Sequence, residues 1–322
     1  MASDRYTLAL AQVNPRLGDV DANREMVAQQ VREAQGRGAD LVIFPELALT
    51  GYFLKDQVPA VAWRLDGPEV KWLAGLSQET AIVVGMVEES PETLFYNSAI
   101  YLERGELRHV HRKCYLPTYG LFDEQRYFAR GRHVGAFETR FGRMALLICE
   151  DMWHPSVVYL AALDRALSIV SISASPIWGV TTEELPENAA HWRQIMRFHA
   201  ATWATPIAYC NRVGFEDGIG FWGGSELVDA SGEQVAAAPL YEPAMVTAEI
   251  DLRALRRRRI SSTILRDEDL DLTLNELTRI RQTYMGLTDS AAASKTGKRT
   301  AVAKKAPGRM AASLPTRRRG RA

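Results

Sequence analysis

Three cysteines in 322 residues form a sparse and odd set, at positions 114, 149 and 210. Such a set argues against a disulfide scaffold and for a reducing compartment with free thiols. No apolar run approaches the roughly 18 residues that span a bilayer, and the N-terminus shows no basic region followed by an apolar segment. The sequence therefore predicts a cytoplasmic protein that does not associate with a membrane.

The formal net charge is zero, but acidic residues are missing from one end of the chain. Residues 291–322 carry ten Lys and Arg and no Asp or Glu, which leaves the rest with a net charge of about −10. This end has no periodic apolar face and cannot bury enough surface to offset chain entropy. We predict a folded domain over 1–288 and a disordered basic tail over 289–322. A weak contact between the tail and nucleic acid is possible, although a solvated terminus is the favoured interpretation.

Short apolar runs alternate with helical patterns over most of the chain. Strand patterns occur in YTLALAQV, LVIF, AIVVGMV, GRMALLIC and LSIVSIS, with helical spacing between them. The stretch NSAIYLERGELRHVHR indicates two strands around an Arg-Gly turn. Helices that alternate with strands, together with strands that can pair as hairpins, predict mixed sheets covered by helices.

The string LLICEDMW, residues 146–153, places a cysteine directly after a buried strand. A single cysteine is more often a small buried hydrophobe than a nucleophile. Cys149, however, falls where a strand meets a turn before a helix, which lifts its side chain out of the sheet and towards backbone N–H groups. Those donors can lower a thiol pKa and can hold an oxyanion. A nucleophilic thiol also needs a base and a positive charge within reach.

Two other strand ends supply these groups. In FPELALTGY, residues 44–52, Glu46 follows the strand LVIF. In HRKCYLPTYGLFDEQRYF, residues 111–128, Lys113 follows another strand and precedes an aromatic-rich loop. Three strand ends thus carry a carboxylate, an ammonium and a thiol, and the combination indicates a site for nucleophilic catalysis.

The strings FPELALTGY, RKCYLPTYGLFDEQRYF and ICEDMW resemble those of the nitrilase or carbon-nitrogen hydrolase superfamily, and the likeness covers about residues 5–255. The resemblance implies a four-layer α-β-β-α sandwich with two mixed sheets, and an enzyme that requires no metal or organic cofactor. It makes Glu46 the general base, Lys113 the oxyanion stabiliser and Cys149 the nucleophile. Glu124 matches an additional glutamate that helps to hold the substrate and the lysine. Members commonly pair through the helical face, which implies a homodimer or larger homo-oligomer.

Within the superfamily, ICEDMW and YGLFDEQRYF are most similar to the glutaminase domain of glutamine-dependent NAD synthetases, but no ATP-using synthetase domain follows in this chain. We therefore predict thiol-dependent hydrolysis of a small amide or carbamoyl-amine through a cysteine thioester, with release of ammonia or an amine. A glutaminase subunit that supplies ammonia to a separate ATP-dependent synthetase is the alternative. A catalytically silent binding protein is disfavoured by the intact catalytic residues, and a nitrile-cleaving enzyme by the string around the cysteine.

Residues adjacent to the three catalytic candidates are predicted to contact the substrate. Glu150 would contribute its backbone N–H beside Lys113 to hold the oxyanion. Among the aromatic residues of the expected pocket segments, Tyr119 and Trp153 are preferred for their closeness in sequence to the catalytic candidates, and Trp178 follows a further strand end in SASPIWGV. Large aromatic side chains more often belong to the core. The weaker candidates in the expected pocket segments are Tyr52, Phe122 and Trp222.

The residues alone leave two other kinds of site open, a Cys-His catalytic site and a metal site. His154 and His191 are possible partners in a Cys-His mechanism, but the strings of papain-like and caspase-like proteases are absent. His109 and His111 share one strand face and could bind a metal, although no third ligand is evident. Cys114 should point the opposite way from its neighbour along a strand and is predicted to be structural.

Overall fold

The computed structural model describes residues 4–178 and 185–284. The chain forms two compact units, Met1–Asp267 and Glu268–Ala322. The predicted tail, 289–322, lies outside the described residues, so its disorder, its contact with nucleic acid and the boundary near residue 288 stay predictions. No helix in the described ranges is both long enough and apolar enough to cross a bilayer.

Fourteen strands in the described residues form two large sheets and one hairpin. The strands are β1 Arg5–Gln12, β2 Leu41–Ile43, β3 Ala81–Glu89, β4 Phe95–Glu103, β5 Glu106–Arg112, β6 Ala136–Thr139, β7 Gly142–Ile148, β8 Ser168–Ser173, β9 Ile207–Asn211, β10 Val213–Glu216, β11 Ile219–Trp222, β12 Glu226–Val228, β13 Gln234–Ala237 and β14 Ala244–Asp251.

Six helices of the described residues lie between these strands, and three follow β14. They are α1 Val20–Gly36, α2 Val58–Val61, α3 Pro68–Leu76, α4 Glu124–Tyr127, α5 Pro155–Leu163, α6 Glu187–Trp203, α7 Leu252–Ser261, α8 Ile264–Asp267 and α9 Leu270–Tyr284, with 3-10 turns at Lys55–Gln57 and Cys149–Trp153. Asp19 caps α1, because its side chain accepts the Ala22 N–H at 3.1 Å. The described part of the second unit consists mainly of α9, which has no buried side chain.

The two large sheets are mixed, as predicted. The first has the strand order β14-β1-β2-β3-β4-β5, and the second has the order β13-β12-β9-β8-β7-β6. In the first sheet β1, β2 and β3 are parallel, and in the second β7, β8 and β9 are parallel. The remaining pairs in both sheets are antiparallel.

The sheets pack face to face, with helices on both outer sides. Sγ of Cys210, on β9, lies 3.2 Å from the carbonyl oxygen of Ile43, on β2, so the inner faces are in direct contact. Apolar side chains of α1 and α3 cover the first sheet, and those of α5 and α6 cover the second. Strands that are buried on both faces read as nearly continuous apolar runs. The arrangement confirms the predicted α-β-β-α sandwich.

The catalytic candidates leave the two sheets at strand ends. Because β2 and β5 run in the same direction, Glu46 and Lys113 emerge at the same edge of the first sheet. Cys149 follows β7, which belongs to the second sheet. The packing of one sheet on the other therefore brings the thiol to the two charged groups.

Candidate active site

Lys113 lies between two buried glutamates. Its Nζ is 2.7 Å from Oε1 of Glu46 and 2.6 Å from Oε1 of Glu124, and all three side chains are almost fully buried. Burial disfavours the ammonium form, but the charges of Glu124 and Glu46 outweigh it, so the pKa of Lys113 lies well above its ordinary value. Lys113 is therefore a permanent cation. It is suited to stabilise a negative charge and not to accept a proton.

Glu46 is held by donors on both of its oxygens. Besides the contact with Lys113, the side-chain amide of Asn97 donates to Oε1 at 2.7 Å, and the Ala174 N–H donates to Oε2 at 2.7 Å. These bonds set the orientation of the carboxylate before a substrate arrives. Asn97 was not among the predicted site residues, although an amide inside the apolar strand β4 requires a buried partner.

The backbone around Glu46 is approached closely by β3. A Cβ at Gly85 would lie 2.4 Å from the Leu47 nitrogen and 2.8 Å from the Glu46 Cα. Any larger residue at this position would displace the segment that carries the carboxylate. Glycine is therefore required here by the close approach of two backbones.

Glu124 connects Lys113 to Tyr52. The Tyr52 hydroxyl donates to Oε1 of Glu124 at 2.5 Å, and the same oxygen contacts the lysine. The other oxygen, Oε2, is buried and accepts no hydrogen bond from the described part of the chain. An acceptor of this kind is available to a substrate N–H group, as the predicted role of Glu124 requires.

A second buried ion pair supports the segment that contains Tyr52. Arg212 is fully buried and pairs with Glu216, whose Oε1 accepts the backbone N–H groups of Tyr52 at 2.8 Å and Phe53 at 2.6 Å. The ion pair thereby fixes the position of the Tyr52 hydroxyl. No local pattern signalled this support, because the contacts join residues that are far apart in the sequence.

Glu124 makes the stability of the protein depend on pH. Burial raises the pKa of the Glu124 carboxyl group from its ordinary value of 4.5 to about 7. The charge of Lys113 opposes this shift, and the charge of Glu46 adds to it. Between these values the folded state holds a proton that the unfolded chain has released, so stability falls as pH rises from about 5 to about 8. We expect Glu124→Gln to remove this loss. Denaturant unfolding at about pH 5 and at about pH 8 measures this difference in the free energy of unfolding.

The exposed carboxylate of Glu138 offers a matched control, because its side chain is 73% accessible. Glu138→Gln should keep the wild-type difference in unfolding free energy between the two pH values. If Glu124→Gln also keeps it, the carboxyl group of Glu124 titrates alike in the folded and unfolded states.

Cys149 opens a 3-10 turn directly after β7, as predicted. Its φ of +47° lies in the left-handed region, which costs a non-glycine residue about 1–3 kcal/mol and is frequent at functional sites. Burial raises the pKa of the thiol well above its ordinary value, and the charge of Glu46 raises it further, whereas Lys113 and the Ser173 hydroxyl lower it. These mutual effects place Cys149 beside the charged pair. At rest it is a neutral thiol that needs a base.

The predicted substrate contacts form two pairs. The Tyr119 hydroxyl donates to Oε2 of Glu150 at 2.9 Å, and Tyr119 is 49% exposed. Trp153 and Trp178 stack with their ring centroids 6.2 Å apart, and Trp178 is exposed. The first pair thus joins the loop after Lys113 to the residue that follows Cys149. Residues 179–184, which continue SASPIWGV, lie outside the described ranges.

The described contacts of the two candidate histidines are with Glu150, Tyr115 and Trp153, and none of them is with the thiol itself. The ring of His154 stacks on Tyr115 with centroids 3.4 Å apart, and His191 lies against Trp153. The groups that shift the pKa of Cys149 are two glutamates, a lysine and a serine. These electrostatic interactions favour Glu46 over a histidine as the base.

The two histidines of the HVH string do not act together. His109 stacks on Phe137 with centroids 3.9 Å apart, whereas Nε2 of His111 lies 2.8 Å from Oδ2 of Asp151. Cys114 completes a group of three possible ligands whose donor atoms lie within 4.8 Å of one another. The sequence showed no third ligand for the His109 and His111 pair, and the packing of the sheets brings Asp151 to His111 instead.

Cys114 differs from Cys149 in its surroundings. Burial raises its pKa to about 12, and the charge of Asp151 adds to the shift. Its Sγ lies 3.6 Å from the carbonyl oxygens of Arg112 and His133. These contacts are those of a structural thiol.

The four-layer sandwich and the Glu, Lys and Cys side chains at its strand ends define a nitrilase-like enzyme. Residues 7–260 match the family model described as carbon-nitrogen hydrolase, and the chain belongs to this family. The match confirms the resemblance of its strings and the prediction of a carbon-nitrogen hydrolase.

Relatives fall into two groups. A glutamine-dependent NAD(+) synthetase from Thermotoga maritima is 33% identical over 255 residues, which cover 77% of this chain but only 42% of that protein. The chain thus spans less than half of that relative. An N-carbamoylputrescine amidase from Solanum tuberosum is 28% identical, and the match covers 79% of this chain and 89% of the amidase.

A solved structure has the same architecture over nearly its full length. The carbon-nitrogen hydrolase from Helicobacter pylori G27 is 26% identical and superposes with a TM-score of 0.75, covering 85% of this chain and 98% of its own. Nearly all of that structure therefore has a counterpart in this chain.

Proposed function

We propose that this chain hydrolyses a small non-peptide amide or carbamoyl-amine through a thioester on Cys149. The proposal is carried by the Lys113 cation, buried between Glu46 and Glu124 beside a thiol that burial keeps protonated. Such a thiol attacks only when a base removes its proton, and the tetrahedral oxyanion needs a cation nearby. Protein groups supply both.

Acylation begins when Glu46 takes the proton of Cys149. The thiolate attacks the carbonyl carbon of the substrate, and the carbonyl electrons move onto the oxygen. Lys113 and the backbone N–H of Glu150 stabilise this charge, and one such donor is worth about 3 kcal/mol in a dry site. Protonated Glu46 then gives its proton to the nitrogen, the carbon-nitrogen bond breaks, and ammonia or an amine leaves.

Deacylation uses the same groups in reverse. Glu46 takes a proton from a water molecule as the water oxygen attacks the thioester carbon of Cys149. The second tetrahedral oxyanion is held by Lys113, and its collapse breaks the carbon-sulfur bond. Protonated Glu46 returns the proton to the sulfur, which releases the acid and restores the neutral thiol.

A glutaminase subunit is the second candidate function. Its support is the 33% identity to the Thermotoga maritima NAD(+) synthetase. In that case glutamine is the substrate, and ammonia passes to a separate ATP-dependent enzyme. The likeness to the N-carbamoylputrescine amidase, which covers 89% of that protein, supports a hydrolase that works alone. Acylation chemistry is the same in both, so only the substrate separates them.

Ammonia release from a panel of amides, N-carbamoyl-amines, glutamine and nitriles tests the proposal. We expect turnover of at least one amide or carbamoyl-amine, with little turnover of nitriles. Glutamine hydrolysed faster than all the others would favour the glutaminase subunit. Binding without any turnover would identify a silent binding protein and contradict the proposal.

Glu150 places a carboxylate beside the thiol, where it can pair with a cationic group of the substrate. Its side chain is only 16% accessible, and a hydrogen bond to a charged group contributes about 1.5–3 kcal/mol. We expect Glu150→Gln to raise KM for ammonium-bearing amides by about tenfold or more. KM for neutral amides should stay within about twofold, as measured by steady-state kinetics.

Tyr119→Phe is the matched control for Glu150→Gln. It removes the hydroxyl that donates to Glu150 at 2.9 Å but keeps the carboxylate charge. We expect a smaller increase in KM that does not depend on the substrate charge. An equal increase for charged and neutral amides in Glu150→Gln would rule out pairing with a cation.

A homo-oligomer that assembles through the helical face remains part of the proposal. Two large apolar side chains on α5 and α6 support it, because Leu160 is 48% and Phe198 is 63% exposed. A second copy of the chain that packed on this helical face would cover both side chains.

A further inference from the structure

Asp151 is a buried carboxylate that binds the segment after Lys113. Its Oδ1 accepts the backbone N–H groups of Cys114 and Tyr115, each at 3.0 Å. These residues directly follow Lys113 in the sequence. One oxygen of Asp151 therefore fixes the chain where it leaves β5 and sets the path of the lysine backbone.

The other oxygen of Asp151 binds the segment before Cys149. Its Oδ2 accepts the Ile148 N–H at 3.2 Å and lies 2.8 Å from Nε2 of His111. Ile148 directly precedes Cys149, and the carboxylate belongs to the same 3-10 turn as the nucleophile. Asp151 thus has two donors on each oxygen, and its accessible surface is zero.

The connection matters because the two segments belong to different sheets. Lys113 follows β5, an edge strand of the first sheet, and Cys149 follows β7, inside the second sheet. These strands do not pair, so sheet hydrogen bonds do not set the distance between the two side chains. The hydrogen bonds of Asp151 span this gap directly.

The backbone of Cys149 also needs support. A non-glycine residue with φ of +47° persists only where its surroundings hold it in place. Asp151 accepts a hydrogen bond from the residue before the strained position, and its own backbone lies two residues after it. The carboxylate therefore holds the turn from both sides.

We infer that Asp151 is a positioning residue, which fixes Cys149 relative to Lys113 by joining the two strand ends, and that His111 supports it as a donor. The inference rests on the proposed function where its test measures kcat. Its geometric content does not depend on the substrate. Asp151 acts through the backbone of its neighbours and has no contact with reacting atoms.

A metal ion is the competing occupant of the same cluster. Donor atoms of His111, Cys114 and Asp151 lie within 4.8 Å of one another. A carboxylate has about four acceptor positions, and the four hydrogen bonds of Asp151 use them all. The acceptor positions of Asp151 are therefore occupied by hydrogen bonds and are not open to coordinate a metal ion.

Asp151→Asn tests the inference, because it keeps the shape of the side chain but replaces one acceptor oxygen with an amide group that donates. The amide will face backbone N–H donors on one side, so one strand end must shift. A displacement of about 1 Å can cost up to about a hundredfold in rate. We expect kcat to fall by about ten- to a hundredfold while KM changes by less than about threefold.

Alkylation of Cys149 by iodoacetamide gives a readout that needs no substrate. Lys113 lowers the pKa of the thiol, so a lysine that has moved away should shift the pH profile of alkylation upwards. Peptide mass spectrometry separates Cys149 from the other two cysteines. This measurement stays valid even if the protein hydrolyses none of the amides, so failure of the inference is distinguishable from failure of the proposed function.

Two sets of controls separate positioning from stability. Glu103→Gln changes another buried carboxylate, which accepts from the Tyr101 hydroxyl at 3.1 Å and the Arg140 N–H at 3.3 Å. It should lower the melting temperature yet leave kcat and the alkylation profile unchanged. His111→Gln keeps a donor near the Nε2 position and should retain most of kcat, whereas His111→Leu should lose several-fold.

Three results would overturn the inference. The first is a folded Asp151→Asn protein with wild-type kcat and an unshifted alkylation profile. The second is an equal kcat in His111→Gln and His111→Leu. This result is decisive even if Asp151→Asn does not fold. The third is a wild-type protein that loses activity to a chelator and regains it with zinc, which would make the cluster a metal site.

Discussion

Cys149→Ala is expected to lower amide turnover by about a thousandfold or more, to the level of background hydrolysis. The thiol is the only group at the site that can form the thioester, so no neighbouring residue can replace it. Alanine keeps the Cβ and therefore the same backbone strain at φ +47°. Loss of one buried sulfur costs about 1 kcal/mol of stability, and the protein should remain folded by circular dichroism.

The other two cysteines provide matched controls. Cys114 is half-buried and Cys210 is fully buried, and burial raises the pKa of Cys114 to about 12 and that of Cys210 further. Cys114→Ala and Cys210→Ala should keep most of the turnover. If Cys149→Ala retains more than a few per cent of the wild-type rate, the nucleophile has been misassigned.

Lys113→Met is expected to lower kcat by about a hundredfold or more, because it removes the cation that stabilises the oxyanion. The structure adds a second effect. Both Glu46 and Glu124 lose their buried partner, and breaking such a pair costs about 3–5 kcal/mol. We therefore expect a lower melting temperature as well, so kcat has to be normalised to the folded fraction.

The double variant Lys113→Met/Glu124→Gln separates the two effects. It removes one of the two stranded carboxylates and should recover part of the stability but none of the activity. His154→Ala and His191→Ala should each cost far less than Lys113→Met, because their described contacts are with Glu150, Tyr115 and Trp153. The opposite ranking would support a Cys-His mechanism.

Much of the fold followed from local patterns. The strands that precede Glu46 and Cys149 end within one residue of the apolar runs LVIF and GRMALLIC. The strand that precedes Lys113, ELRHVHR, has no apolar run and was indicated by the Arg-Gly turn before it. The helices α1, α5 and α6 likewise lie where the 3.6-residue spacing predicted them. Layer order came from the family resemblance, because periodicity alone leaves the stacking of two sheets undetermined.

The features of the functional site can likewise be divided into those that the sequence predicted and those that only the structure showed. The sequence by itself determined the reacting groups, since Glu46, Lys113 and Cys149 each stand in a specific string at a strand end. Only the tertiary structure decided how they are held, by Asn97 on Glu46 and by Asp151 between the two strand ends. The identity of a side chain is a local property, but a hydrogen bond between distant segments exists only after the two sheets have packed and excluded water.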